Sequence, residues 1–183
     1  MAEPPEPVAY LNGRVLPQSQ VVAAFQGKDL QSSGGFYDTA RTFNGQVFKL
    51  PQHLERLYRS LATAEVDPGL CLEDVEAATM KILDANRPLL GTGDDLEVTQ
   101  VVSLSPIQTA DEIPTINVVI SCELVDFSDF AESYLQGVRV VTPATYGVPK
   151  REPQSGFGGA GQQGVSLMTG REGNITECAG ASF

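Results

Sequence analysis

Asn-Gly occurs at residues 12–13 and again at 44–45, each time between short apolar or alternating segments. The tightest two-residue hairpin turn needs positive φ at both central positions, which Asn and Gly adopt at little cost. "VAYLNGRVL" therefore reads as one hairpin, and "FYDTARTFNGQVFKL" as a second whose side chains alternate between two faces. Two such signals commit this part of the chain to antiparallel pairing.

Pro51 is suited to the start of a helix that runs to about Ala64. At about 100° per residue, Leu54, Leu57, Tyr58 and Leu61 share one arc, with Glu55 and Arg59 on the far side. "LEDVEAATMKILDA" (Leu72 to Ala85) predicts a second helix, with acids at its N-terminal end and Val75, Met80, Ile82 and Leu83 near one apolar arc. Pro88 and "GTGDD" end it. "VVAAF" (21–25) reads as a buried strand, and Gly34-Gly35 in "QSSGGF" as a sharp break. "LEVTQVVSL" (96–104) and "TINVVISCEL" (115–124) are longer strands joined by a polar loop.

Residues 1–124 thus read as an α+β domain with a mostly antiparallel sheet, opening on a disordered "MAEPPEP". Residues 125–136 form a linker or short helix. Residues 137–183 begin a second domain with the strand "VRVVTP" and continue through the loop "TYGVPKREPQSGFGGAGQQG". They end in a strand, a turn from Gly170 to Asn174, and a strand starting at Ile175. This segment is too short to build a core of its own.

A net charge of -11 argues against nucleic acid and against an anionic membrane as partners. An anionic small molecule would need cations gathered locally against that field. Arg41, Lys49, His53, Arg56 and Arg59 are gathered in this way within residues 38–61. No apolar run approaches the roughly 20 residues of a membrane helix, and "MAEPPEPVAY" lacks the layout of a signal peptide, so the expectation is a soluble cytoplasmic protein. Cys71, Cys122 and Cys178 are widely separated and make no metal set.

Among these cations, His53, Arg56 and Ser60 border the apolar arc of the first helix. Arg56 runs along the edge of the core, where its planar fork either receives a phosphate or carboxylate or pairs with a nearby acid. His53 is the less distinctive of the two and reads first as a satisfied residue of the helix start. On the preceding strand Tyr37, Thr39 and Arg41 share one face, opposite Asp38 and Ala40. Tyr37 and Arg41 either receive a substrate carboxylate or form an exposed polar face.

"YLNGRVLP", a loop containing Asp29, "GGFYDTARTFNGQVFKL", "HLERLYRSL" and "GNITE" follow one another along the chain. In that order they resemble the class IV pyridoxal-phosphate-dependent aminotransferases, a family that includes branched-chain and D-amino-acid aminotransferases and 4-amino-4-deoxychorismate lyase. The likeness is dense over residues 8–61, thin to about 136, and resumes near the end. It implies a D-amino-acid-aminotransferase-like α+β fold: a small N-terminal domain plus a pseudo-barrel domain, incomplete here, in a homodimer with pyridoxal 5'-phosphate between the domains.

By that resemblance Arg56 grips the cofactor phosphate and Tyr37 and Arg41 line the substrate pocket. Glu177 sits against the pyridine nitrogen, where a carboxylate keeps the ring protonated and electron-withdrawing. The family also needs a lysine that forms the internal Schiff base and moves the proton. Of Lys28, Lys49, Lys81 and Lys150, only Lys150 lies past the boundary, where relatives keep theirs. It stands closer to Glu177 than in relatives, with "SGFGGAGQQG" in place of the following helix. If "VPKREP" is instead a Pro-containing loop upstream of the catalytic position, that lysine is missing.

The usual Asn after "TE" is replaced by Ser182 or lacking, and the sequence stops before the rest of the large domain, which points to a fragment or to a shortened relative. The activity implied is transfer of an amino group between an amino acid, branched-chain or similar, and a 2-oxo acid. A carbon–nitrogen lyase of the aminodeoxychorismate type is an alternative, as is a non-catalytic relative that binds a ligand or partner.

Overall fold

Both Asn-Gly pairs turn as their chemistry demands. Strands β1 (Val8–Leu11) and β2 (Arg14–Pro17) close on Asn12 at φ 47° and Gly13 at φ 89°. Strands β3 (Gly35–Phe43) and β4 (Gln46–Val47) close on Asn44 at φ 51° and Gly45 at φ 73°. The computed structural model describes residues 6–25, 35–104, 116–126, 128, 131–142 and 165–178. The chain forms two compact units, Met1–Val125 and Asp126–Phe183.

In the first unit, β5 (Leu96–Ser103) and β6 (Asn117–Leu124) complete a sheet of order β2-β1-β6-β5-β3-β4, antiparallel at every pairing. Helices α2 (Leu50–Thr63) and α3 (Leu72–Asn86) cover one face. Leu50, Leu54, Leu57 and Leu61 recur at the spacing that lines one side of a helix, and all are buried against Ala40, Val98, Val102 and Ile120 of the sheet. Helix α3 starts with a reciprocal cap, in which the Cys71 backbone N–H donates to Asp74 Oδ2 at 3.2 Å. At its other end Asn86 exchanges two hydrogen bonds with the backbone of Val8, tying the helix to β1. A single 3-10 turn, Arg87–Leu89, ends this helical stretch at Pro88.

Two expectations are corrected here. "VVAAF" is not a strand: it lies in helix α1 (Gln18–Ala24) and its C-cap, Phe25. A short apolar run is ambiguous by period, and what decides is that Val21 and Phe25, four apart, sit on one side of the helix and bury against Ala9, Leu11, Val101 and Val119. Met80 does not share the buried arc of α3 and is exposed. Thr79 turns inward instead, its hydroxyl donating to the Val75 carbonyl at 2.7 Å.

The second unit contains a short helix α4 (Ala131–Gln136) and a three-stranded sheet of β7 (Val140–Val141), β8 (Val165–Thr169) and β9 (Ile175–Cys178). Strand β7 runs parallel to β8, and β8 pairs antiparallel with β9 across a turn in which Gly170 N–H donates to Asn174 O at 2.8 Å. The expectations for the first residues, for Gly34, for the polar loop at 105–115, for the Gly-rich loop with Lys150 and for Ser182 lie outside the described residues. Among the described residues, no helix is long and apolar enough to cross a membrane.

Candidate functional site

Parity along β3 decides which side chains meet which partners. Asp38, Ala40 and Thr42 point to the helix-covered face and are buried, whereas Tyr37, Thr39 and Arg41 are half-buried on the other face. An ionised acid buried at 2 % exposure is costly unless paired and hydrogen-bonded. Helix α2 supplies the partners. Arg56 Nε donates to Asp38 Oδ2 at 2.7 Å and its Nη2 to Oδ1 at 2.8 Å, a two-pronged fork. His53 Nδ1 donates to the same Oδ1 at 2.8 Å, since a carboxylate only accepts.

Thus, of the alternatives the sequence leaves open for Arg56, pairing with a nearby acid is realised. That does not use up the side chain. A guanidinium carries about five N–H donors, and Asp38 takes only those of Nε and one on Nη2. The rest lie on a side chain that is 65 % exposed. The hydrogen bond to Asp38 raises the already high pKa of Arg56, so the charge is permanent.

On the other face, cross-strand register forms rows. Thr39 faces Thr99, with their hydroxyl oxygens 3.1 Å apart, and Thr99 faces Ser121. Arg41 faces Glu97, and Glu97 faces Glu123. Burial, and then the facing Glu123, raise the pKa of Glu97. Arg41 leans toward the hairpin end: its Nε donates to Thr42 O at 3.2 Å, its Nη2 lies 3.7 Å from Asp95, and its guanidinium rests 4.2 Å from the centre of the Phe43 ring. Asp95 in turn accepts from the Thr42 hydroxyl at 2.7 Å and from Gly45 N–H at 3.0 Å, which holds its pKa below the usual carboxylate value.

Of the residues singled out in the sequence, the first unit brings Arg56 and His53 together on Asp38 and places Tyr37 and Arg41 on the opposite face of the same strand. Glu177 belongs to β9, where its backbone pairs with Met168. Lys150 lies outside the described residues. Asp38 is the residue that sequence reasoning left without a role. The signal was present: an acid sharing a strand face with Ala40 must find cations, and the helix that follows carries them at i and i+3.

This fold is shared with solved aminotransferases. A branched-chain amino acid aminotransferase of Escherichia coli superposes with a TM-score of 0.65 at 15 % identity, over 96 % of this chain and 64 % of that one. The branched-chain amino acid aminotransferase of Thermobaculum terrenum, in its PLP-form, gives 0.64 at 14 % identity, over 97 % and 63 %. In sequence, a D-alanine aminotransferase of Bacillus licheniformis is 29 % identical over 89 residues, which are 49 % of this chain and 31 % of that protein. The chain therefore matches only about a third of the length of such relatives. The family model described as amino-transferase class IV matches residues 35–143. The protein belongs to the class IV aminotransferase family.

Proposed function

We propose that the protein acts as a pyridoxal 5'-phosphate-dependent aminotransferase that moves an amino group between an amino acid and a 2-oxo acid. The observation that carries this reading is the class IV match over residues 35–143, which spans the strand and helix of the Asp38–Arg56 pair. Relatives named as D-alanine and branched-chain aminotransferases support transamination over the lyase alternative.

The residues present fit the cofactor at its phosphate end. Arg56 offers an exposed, permanently charged edge of N–H donors already held in orientation by a buried acid. In this reading Arg56 holds the phosphate, and Glu177 keeps a proton on the pyridine nitrogen. Lys150 carries the proton at the substrate's α-carbon, while Tyr37 and Arg41 orient the substrate carboxylate. When bound, the cofactor supplies the carbonyl that accepts the amino group and a ring that draws electrons from the α-carbon. The family resemblance supports a homodimer.

The test is to incubate the purified protein with pyridoxal 5'-phosphate, record the long-wavelength absorbance band, trap the adduct with borohydride and map it by mass spectrometry. The expected adduct is on Lys150, and transamination is then assayed with D-alanine and with a branched-chain L-amino acid as donors. If neither band nor adduct forms, the enzyme reading fails and a non-catalytic binding role takes its place.

A further inference from the structure

We propose that Asp38 is a positioning residue for a two-headed anion subsite, in which the ring nitrogen Nε2 of His53 is a second contact beside Arg56 for one phosphoryl group. This rests on the reading of Arg56 as the phosphate grip and adds two residues to it.

Asp38 Oδ1 accepts from both His53 Nδ1 and Arg56 Nη2, each at 2.8 Å, so both side chains converge on one buried atom. They stand three residues apart on α2 and so share a helix face. Because the carboxylate only accepts, Nδ1 of His53 is the donor and the ring is held with Nε2 turned away from Asp38. Both groups keep access to the surface, with side-chain exposures of 28 % for His53 and 65 % for Arg56. Asp38 itself is too deeply buried to meet a ligand.

The charges explain what Asp38 contributes. One carboxylate balances one guanidinium, so the pair adds little net field, and its contribution is orientation. The two heads differ in what they offer. The free N–H groups of Arg56 need acceptors, and His53 offers its single outward ring nitrogen. A phosphate monoester offers three terminal oxygens in a tetrahedral array, enough to meet both side chains at once, whereas a carboxylate offers two in one plane. The subsite therefore suits a phosphomonoester better than a carboxylate.

The experiment titrates the protein with pyridoxal 5'-phosphate and, separately, with pyridoxal, which lacks the phosphate, following absorbance or quenching of intrinsic fluorescence. The variants are R56Q, D38N and H53A. D38N is expected to weaken pyridoxal phosphate binding about tenfold and H53A about fivefold, from loss of charge-assisted hydrogen bonds, with pyridoxal affinity unchanged in both. The proposal is overturned if either variant weakens both ligands alike, which is the mark of a merely structural role. It is also overturned if both variants bind pyridoxal phosphate normally while R56Q does not. An unchanged affinity in R56Q instead removes the phosphate reading of Arg56 itself, and the proposal with it. H53A changes a partly exposed side chain and keeps the question answerable should D38N not fold.

Discussion

The two faces of the six-stranded sheet come from the same strands and differ in what they bury. Under α2 and α3 the sheet is apolar packing, interrupted by Asp38, by Gln100, which faces it across the β3–β5 ladder, and by Thr42. On the other side, apolar packing is confined to the patch under α1, and beyond it lie a hydroxyl row and then a charged row. The difference teaches that one side of the sheet makes the fold and, through Asp38, holds Arg56 from behind. The other buries the hydroxyls of Thr99 and Ser121 and exposes Glu97 and Glu123.

The largest expected effect breaks this division at the core. Leu54→Ala, at a fully buried position beneath α2, is expected to cost about 3 kcal/mol. Val119→Ala, under the smaller α1 patch, is expected to cost about 1.5 kcal/mol. Urea denaturation measures both, and equal losses would mean that the α1 patch is as much a core as the other.

A second prediction sharpens the account of the helix-covered face. Gln100 is buried, its amide donates to Thr79 only at 3.4 Å, and its Oε1 has no partner among the described residues. A buried acceptor without a donor costs free energy. Gln100→Met keeps the volume and removes the acceptor, so it is expected to gain about 1 kcal/mol in the same denaturation assay. A loss would show that the amide is needed there, as the Asp38 carboxylate is.

The smallest effect belongs to the charged row. The folded state raises the pKa of Glu97, so ionising that group opposes folding. The penalty is absent below the pKa of the unfolded chain and fully present above that of the folded protein. Glu97→Gln is therefore expected to raise Tm slightly at neutral pH, with the gain vanishing as pH falls through the carboxylate range. A gain that persists in acid would assign the effect to packing and not to charge.

Much of this division was legible in the residue order. The Asn-Gly pairs set both hairpins, and the spacing of Leu54, Leu57 and Leu61 set the buried side of α2. The alternation along β3 set Tyr37, Thr39 and Arg41 apart from Asp38 and Ala40. What the order could not give was partnership. The nature of α1 turned on what its apolar residues pack against, which is a tertiary fact. The engagement of Arg56 with Asp38 depended on the crossing of a helix over a strand, since the two residues are 18 positions apart. Met80 and Thr79 are neighbours on α3, and only the position of the sheet decides which of them turns inward.

The place of β1 in the sheet has a consequence for how the protein is made. Strand β1 lies between β2 and β6, and Asn12 at its turn donates to Asn117 Oδ1 at 2.8 Å, across 105 residues of sequence. While the chain emerges from the ribosome, the second edge of β1 has no strand to pair with until β6 has been synthesised. Pairings over such long separations form late and slowly. The nascent chain thus carries one open edge of β1, paired only with β2 on its other side, until β6 emerges, and chaperone capture during synthesis is expected to fall on that edge.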